Sequence, residues 1–154
     1  MKLVLIRHGK SDWHAGKDDF FRPLNSRGMR DAPVMARALM ERGITPGRLI
    51  TSPAVRALTT AQLMADVFET EEVLEQQSLY LASYDEILQT AFKALEENDT
   101  VLIFGHNPGM SIAASEIRNR DTPMPTCSAA VITLEKVNDE YEVQDSYFLK
   151  PRDL

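Results

Sequence analysis

The apolar residues of this chain fall into short runs, of which the first is Leu3 to Ile6. Four consecutive apolar residues are typical of a strand that is buried on both faces. Similar runs predict further strands at 101–105 and 129–134, the short segment Arg48-Leu49-Ile50-Thr51 predicts one at 48–51, and alternating polarity predicts another at 141–148. Asn138 and Asp139 suit a hairpin turn between the last two strands.

Segments with a helical period separate most of these strands. They predict four helices, which begin near residues 26, 53, 83 and 108 and end near residues 42, 68, 97 and 118. Ser52-Pro53 and Asn107-Pro108 match the preference for a polar N-cap followed by proline at the first helical position. The inner face of the second helix is expected to consist of Val55, Leu58, Gln62, Ala65 and Phe68.

The alternation of strands and helices predicts an α/β fold. We expect a three-layer α/β/α sandwich with a mostly parallel sheet and an antiparallel C-terminal hairpin. A chain of 154 residues is long enough for one domain, covering residues 1–154. Residues 10–25 have no regular period and predict a long loop, which in compact domains is usually functional. Residues 71–81 are ambiguous, with a short strand near Val73 and Leu74.

Three of the predicted strands end in polar residues of a similar kind. The first strand leads into Arg7 and His8. The second leads into Ser52, with Arg56 one helical turn later, and the strand at 101–105 leads into His106. Each residue alone has an ordinary structural explanation. Because the carboxyl ends of parallel strands share one edge of a sheet, their joint occurrence predicts a site there. Arginines and helix N-termini favour phosphate or sulfate as its ligand.

Composition narrows the possible partners. The net charge of −6 argues against bulk binding to nucleic acid or to an acidic membrane. No apolar run approaches the ~20 residues that a membrane helix needs. The single cysteine, Cys127, cannot form an internal disulfide and is expected to be a small buried residue of a cytoplasmic protein. The sequence is silent on the oligomeric state.

Neither a metal nor an organic cofactor is expected. A metal site formed by Asp12, His8, His14 and His106 is one alternative, but the neighbouring arginines would oppose a cation. His14 is instead expected at the rim of the pocket or on the surface. The chain also lacks the glycine-rich loops that bind nucleotides.

The ordered set of motifs closely resembles the histidine phosphatase superfamily, which includes the phosphoglycerate mutases. The residues that carry this resemblance are Arg7–Gly9, Ser52–Arg56 and Gly105–His106. Further matches point to the short SixA-type phosphohistidine phosphatases, and they are Arg22–Leu24, Gly28 and His106–Gly109. The resemblance extends to about Phe148.

This resemblance implies that His8 is a nucleophile that carries the phosphoryl group transiently. Arg7, Arg56 and His106 would hold the three equatorial oxygens, whose charge must be stabilised during transfer. Arg22 and Asn107 are assigned to the same phosphate pocket. The neighbouring arginines should lower the pKa of His8 and so keep its ring neutral for attack.

The identity of a proton donor is open. Mutase-like members carry an acidic donor in a segment after the third strand, whereas residues 79–86 are short here, and Asp85 and Glu86 match no donor motif. His14 also stands where the mutases have asparagine. Asp19 is a candidate for proton transfer or water orientation, and the alternative is a structural ion pair with Arg22.

The missing donor favours a substrate whose leaving group needs little help. The imidazole of a phosphohistidine is such a group, whereas the alkoxide of a phosphate ester is not. We therefore expect a phosphatase that acts on phosphohistidine in a protein. The alternatives are a phosphomonoesterase acting on small phosphate esters and a non-catalytic module that binds phosphate or a phosphopeptide.

Overall fold

The computed structural model describes residues 1–154. Its strands are β1 (Lys2–Arg7), β2 (Arg48–Thr51), β3 (Val73–Glu75), β4 (Thr100–Gly105), β5 (Ala129–Val137) and β6 (Glu140–Leu149). Its α-helices are α1 (Ser26–Glu41), α2 (Val55–Phe68), α3 (Tyr84–Leu95) and α4 (Gly109–Arg118). None of these helices is long and apolar enough to span a membrane.

The six strands form one sheet in the order β3-β2-β4-β1-β5-β6. The first four strands of this order are parallel to one another, and β5 and β6 run antiparallel at the far margin. This arrangement confirms the predicted α/β fold with its C-terminal hairpin. The short strand near Val73 also exists, as the edge strand β3.

Alternate residues of β1 enter two separate cores. Leu3 and Leu5 pack on the side of α3 and α4, where Ile87 of α3 belongs to the same cluster. Val4 and Ile6 pack on the side of α1 and α2. Helices therefore cover both faces of the sheet, as the four-residue apolar run indicates.

The predicted inner face of α2 is wrong by about one residue. Leu58 and Phe68 are only half-buried, and Gln62 is exposed. Ala65 is buried as predicted. The other buried positions of α2 are Arg56, Ala57, Thr60, Ala61 and Met64, and three of these residues are small. Small side chains let the helix approach α1 and the sheet closely, which turns the larger Leu58 to the flank. The same rotation buries Arg56.

Two predicted N-caps are also wrong. The helix α2 begins at Val55, after Ala54 as N-cap, and α4 begins at Gly109, after Pro108 as N-cap. Both helices begin later than predicted, although the side chain of Asn107 still accepts from the backbone N–H of Ser111 in the first turn of α4, and that of Ser52 accepts from the backbone N–H of Ala54. By contrast, Asn25 caps α1 as predicted, and its side chain accepts a hydrogen bond from the backbone of Gly28.

Gly28 brings α1 against the segment that follows β1. A Cβ atom at this position would lie 2.3 Å from the carbonyl oxygen of Lys10, so no other residue fits without movement of the backbone. The loop at 10–25 is pinned at its two ends by an isolated bridge between Ser11 and Leu24. A short 3-10 turn at Asp19–Phe21 interrupts this loop. The loop is therefore ordered and lies over the carboxyl edge of the sheet.

Candidate active site

Strand register brings the two predicted histidines together. Arg7 at the end of β1 pairs with Gly105 at the end of β4, so His8 and His106 follow at equivalent positions of adjacent parallel strands. Their ring centroids are 5.3 Å apart. The next strand, β2, leads into Ser52, whose backbone N–H donates to Phe104 of β4. All three strand ends thus meet at one edge, as the strand-end rule predicts.

A cavity of about 240 Å³ opens at this edge. Its lining includes every residue that the sequence assigns to catalysis or phosphate binding, which are Arg7, His8, Asp19, Arg22, Arg56, His106 and Asn107. The arginines come from three different segments of the chain. The cavity is therefore cationic although the whole chain is acidic.

The ring of His8 is buried and held in one orientation. Its Nδ1 donates to the carbonyl oxygen of Gly9 at 2.7 Å, because a carbonyl can only accept. This contact leaves a lone pair on Nε2, and Arg56 Nε donates towards it at 3.3 Å. The pKa of His8 is lowered to about 3, mainly by burial; the Gly9 hydrogen bond opposes this shift, and the nearby His106 and two arginines add to it. His8 is thus neutral near pH 7, with its free nitrogen in the cavity.

Asp19 joins the two arginines of the pocket. Its Oδ1 accepts from Arg22 at 2.8 Å, and its Oδ2 accepts from Arg56 at 3.0 Å. Burial alone raises the pKa of Asp19, but hydrogen bonds from Tyr80, Arg22 and Arg56 outweigh it and hold that pKa below its ordinary value. Asp19 therefore forms the ion pair that was one of its two expected roles, and it is ionised near neutral pH.

Tyr80 is part of the site although nothing in the sequence indicated it. Its hydroxyl donates to Asp19 Oδ2 at 2.5 Å, and its ring contacts the ring of His106 edge-on, at 5.6 Å between centroids. Phe20 also packs edge-on against the Tyr80 ring, at 5.1 Å between centroids. Tyr80 lies in the segment 71–81, whose pattern is ambiguous, and it is 61 residues from Asp19 along the chain.

Ser52 contacts the second histidine of the site. Its Oγ lies 2.7 Å from His106 Nε2 and accepts a hydrogen bond from the backbone of Ala54 at 3.2 Å. Burial lowers the pKa of His106 to about 4, and Arg56 contributes to this shift. If the Ser52 hydroxyl donates to Nε2, the proton of His106 lies on Nδ1. That atom is buried and has no hydrogen-bond partner within the protein.

Arg7 and Asn107 are both tied to the loop that precedes β5. Each donates to the carbonyl oxygen of Met124 at 3.0 Å. The Nε of Arg7 is buried without a partner, like the Nδ1 of His106. The side-chain oxygen of Asn107 accepts from the backbone and hydroxyl of Ser111, so this residue is largely engaged in structural contacts.

Arg22 is oriented by two residues from the long loop. Its Nε donates to Ser11 at 2.9 Å, and its guanidinium lies 3.6 Å from the ring centroid of Trp13. Stacking and a hydroxyl partner fix the plane of the guanidinium. His14, by contrast, is exposed and does not line the cavity, which agrees with its expected surface position.

Cys127 lies beneath the catalytic edge. It is fully buried, as predicted, and its backbone N–H donates to the carbonyl oxygens of Arg7 and His8. Burial raises the pKa of its thiol. The chain contains no group of three or more His, Cys, Asp or Glu side chains that could hold a metal ion.

The carboxyl edge of the sheet carries a cationic cavity that is built around two histidines. Such a cavity suits an anion, and its residues are of the kind that transfer phosphoryl groups. Residues 3–80 match the model of the histidine phosphatase superfamily (branch 1), and the chain belongs to this family. Family membership confirms the resemblance that the motifs indicate.

Individual relatives point to the SixA-type members. The chain is 32% identical over 142 residues to an uncharacterized chloroplastic protein of Arabidopsis thaliana, with 85% of this chain and 65% of the relative covered. It is 26% identical over 141 residues to the phosphohistidine phosphatase SixA of Escherichia coli (strain K12), with 88% and 87% covered. A crystal structure from Agrobacterium tumefaciens that carries the SixA name has a TM-score of 0.82 and 28% identity, with 97% of both chains covered.

The curated relatives differ in length from this chain. It spans 65% of the Arabidopsis protein and 48% of several phosphoglycerate mutases that it also matches. It matches SixA of Escherichia coli, in contrast, over nearly the full length of both.

Proposed function

We propose that this protein is a phosphatase that hydrolyses phosphohistidine in a protein through a covalent phosphoryl intermediate on His8. The observation that carries this proposal is the state of His8: neutral, with Nδ1 donating to Gly9 and Nε2 unprotonated beside Arg56. A histidine in this state is a nucleophile, and the adjacent cations suit an electrophile that carries negative charge.

Two buried nitrogens without a partner support a phosphoryl group as the ligand. They are Arg7 Nε and His106 Nδ1, which is a donor when the Ser52 hydroxyl donates to Nε2, and both residues line the cavity with His8. Buried donors are normally hydrogen-bonded, so a pair of such atoms around a nucleophile suits an anion with several oxygens. In this scheme Arg7, Arg56 and His106 hold the equatorial oxygens, and Arg22 strengthens the positive field.

The reaction proceeds in two displacements. In the first, the lone pair of His8 Nε2 attacks phosphorus, the phosphorus–nitrogen bond of the substrate breaks, and the substrate imidazole keeps that electron pair and takes a proton from solvent. In the second, a water oxygen attacks the same phosphorus. The bond to Nε2 then breaks, which releases inorganic phosphate and restores neutral His8. The hydrogen bond to Gly9 holds the ring in line throughout.

The state of Asp19 supports phosphohistidine over a small phosphate ester. An ester needs a proton donor for its alkoxide, and the hydrogen bonds to Asp19 keep the pKa of this carboxyl below its ordinary value. An imidazole leaving group needs little such help. The phosphorylated protein is accordingly the proposed partner. A cytoplasmic location, expected from the single cysteine, stays a prediction.

The test is a brief incubation with a radiolabelled phosphohistidine peptide and, separately, with a labelled phosphoserine peptide, each quenched in acid and in alkali. We expect a protein-bound label that survives alkali and is lost in acid, as a phosphoramidate should be. His8→Ala should remove this label and lower kcat/KM by roughly a thousandfold or more.

His14→Ala is the matched control, because His14 is exposed and lies outside the cavity. It should retain both the label and the parental activity. Parental turnover by His8→Ala would reject His8 as the nucleophile. Faster turnover of the phosphoserine peptide would favour the phosphomonoesterase alternative, and binding without turnover of either peptide would favour a non-catalytic module.

A further inference from the structure

A second, larger cleft adjoins the catalytic cavity. Its volume is about 840 Å³, and it shares Asn107 and Thr126 with the cavity that contains His8. Met124 lies in the wall of this cleft, and its carbonyl oxygen is the acceptor for both Arg7 and Asn107. Because Asn107 and Thr126 line both spaces, groups bound in the cleft and in the cavity would lie next to each other.

The cleft is basic, although the net charge of the chain is −6. Its lining has a single carboxylate, that of Asp121, and five cationic side chains, which are Arg27, Arg118, Arg120, Lys150 and Arg152. We call it the basic cleft. These cations come from the start of α1, the end of α4 and the C-terminal segment after β6. Only the fold brings them together.

Three arginines of the basic cleft have no carboxylate partner, and they are Arg118, Arg120 and Arg152. Arg118 donates instead to the hydroxyls of Ser146 and Thr122, at 3.1 and 3.0 Å. Burial lowers the pKa of Arg118, and the nearby guanidinium of Arg120 lowers it further. Like charges that lie close together without a counterion favour the approach of an anion.

The other two cations each have one carboxylate nearby. Arg27 lies 3.5 Å from Asp31, whose Oδ2 is buried, and Lys150 lies 3.7 Å from the exposed Asp153. The exposed pair of Lys150 contributes little, so it competes weakly with an incoming anion.

We propose that the basic cleft binds an acidic segment of the phosphoprotein substrate while its phosphohistidine occupies the catalytic cavity, an inference that rests on the proposed function. The charge lies on long side chains from three parts of the chain, and Arg27, Arg120 and Arg152 are exposed. Such a spread matches a row of carboxylates on an extended chain. A compact phosphate is instead held by buried, converging donors, as in the catalytic cavity. Exposed charges of this kind mainly select the partner and speed its association.

The test measures binding without turnover. Fluorescence polarisation follows a labelled peptide rich in Asp and Glu, and its counterpart with Asn and Gln, on the full chain. We expect Arg120→Glu/Arg152→Glu to weaken binding of the acidic peptide roughly tenfold or more. The matched control is Arg37→Glu/Lys136→Glu, which makes the same change in net charge at exposed positions outside the cleft. It should change affinity by less than about twofold.

Equal losses in the two double variants, or equal binding of the two peptides by the parent, would overturn the inference. So would displacement of the acidic peptide by an RNA oligonucleotide or by inorganic phosphate at a lower concentration than unlabelled acidic peptide requires. Hydrolysis of p-nitrophenyl phosphate by each variant checks that the cavity is intact. Failure of the parent to hydrolyse phosphohistidine would reject the proposed function but leave this binding measurement readable.

Discussion

In the catalytic cavity, Arg56 is 2% exposed and donates to both His8 and Asp19. In the adjoining basic cleft, Arg152 is exposed and has no carboxylate partner. The two regions adjoin each other and both contain arginines, but these arginines differ in burial and in their hydrogen bonds. Buried, hydrogen-bonded charges have a fixed geometry, which is what stabilisation of a transition state needs. Exposed charges are adaptable and screened by salt, which suits the recognition of variable sequences.

The comparison shows two ways in which an acidic protein can carry the positive charge that an anion needs. In the cavity, Asp19 compensates and aims two arginines at once, so the cost of burying them is reduced. In the cleft, solvent compensates the charges of Arg120 and Arg152, which are exposed and have no carboxylate partner. The expected consequences of mutation therefore differ in size and in kind.

After His8→Ala, the largest effect is expected for Arg56→Lys in the cavity. A lysine has a single ammonium group and cannot keep contacts to both His8 Nε2 and Asp19 Oδ2. We expect kcat on a phosphohistidine peptide to fall on the order of a hundredfold, with a smaller change in KM. Steady-state kinetics measure the split, and thermal unfolding shows whether the variant is folded. A near-parental kcat would show that turnover does not depend on the two simultaneous hydrogen bonds of the Arg56 guanidinium.

The second effect is on stability against pH. The folded-state pKa values of His8 and His106 are lowered to about 3 and about 4, below the ordinary value of a histidine. The unfolded chain therefore binds more protons, so stability is complete above about pH 6.5 and is lost as pH falls below it. Each histidine should contribute a loss of roughly 2 kcal/mol between pH 7.5 and pH 5.

Urea unfolding at a series of pH values checks this expectation. His8→Asn should flatten the acid side of the profile, whereas His14→Asn, at an exposed position, should leave it unchanged. An unchanged acid side in His8→Asn would mean that His8 carries a proton in the folded protein near pH 5.

A smaller effect is expected for Asp19→Asn. This change keeps the shape of the side chain but removes the charge that compensates Arg22 and Arg56. We expect kcat to fall about tenfold for phosphohistidine and by a similar factor for a phosphate ester. A far larger loss for the ester would indicate that Asp19 donates a proton after all. Asp18→Asn, one residue earlier and exposed, is the control for net charge.

The smallest effect is expected from salt. An increase from low to physiological ionic strength should weaken binding of the acidic peptide to the basic cleft by several-fold. Hydrolysis of p-nitrophenyl phosphate, which engages only the cavity, should change by less than about twofold. Equal salt dependence in the two assays would contradict the difference between exposed charges in the cleft and buried charges in the cavity.

Many residues of the site could be predicted because the residues just before them along the chain show where each strand ends. His8, Arg7 and His106 follow uninterrupted apolar runs, and Arg56 follows another by one turn of helix. Parallel register then places them together. Tyr80 could not be predicted, because its contact with Asp19 spans 61 residues and joins two irregular segments.

The face of α2 shows a second limit of local patterns. Apolar periodicity favours Leu58 and Phe68 as the buried residues, but packing against α1 and the sheet selects the small ones. This choice depends on the volume available between elements, which a single helix does not encode. It also decides that Arg56 is buried rather than solvated.

Short-range patterning was sufficient to predict most of the strands and the positions of Arg7, His8 and His106 at strand ends, because each depends on neighbours within one element. Tertiary packing alone decided which charges are buried and which remain in solvent. Arg7, His8 and Gly9 are contiguous, whereas Arg27, Arg120 and Arg152 converge on the basic cleft from distant parts of the chain. Long-range proximity depends on how whole elements dock, and for that reason the cleft has no signature in the sequence.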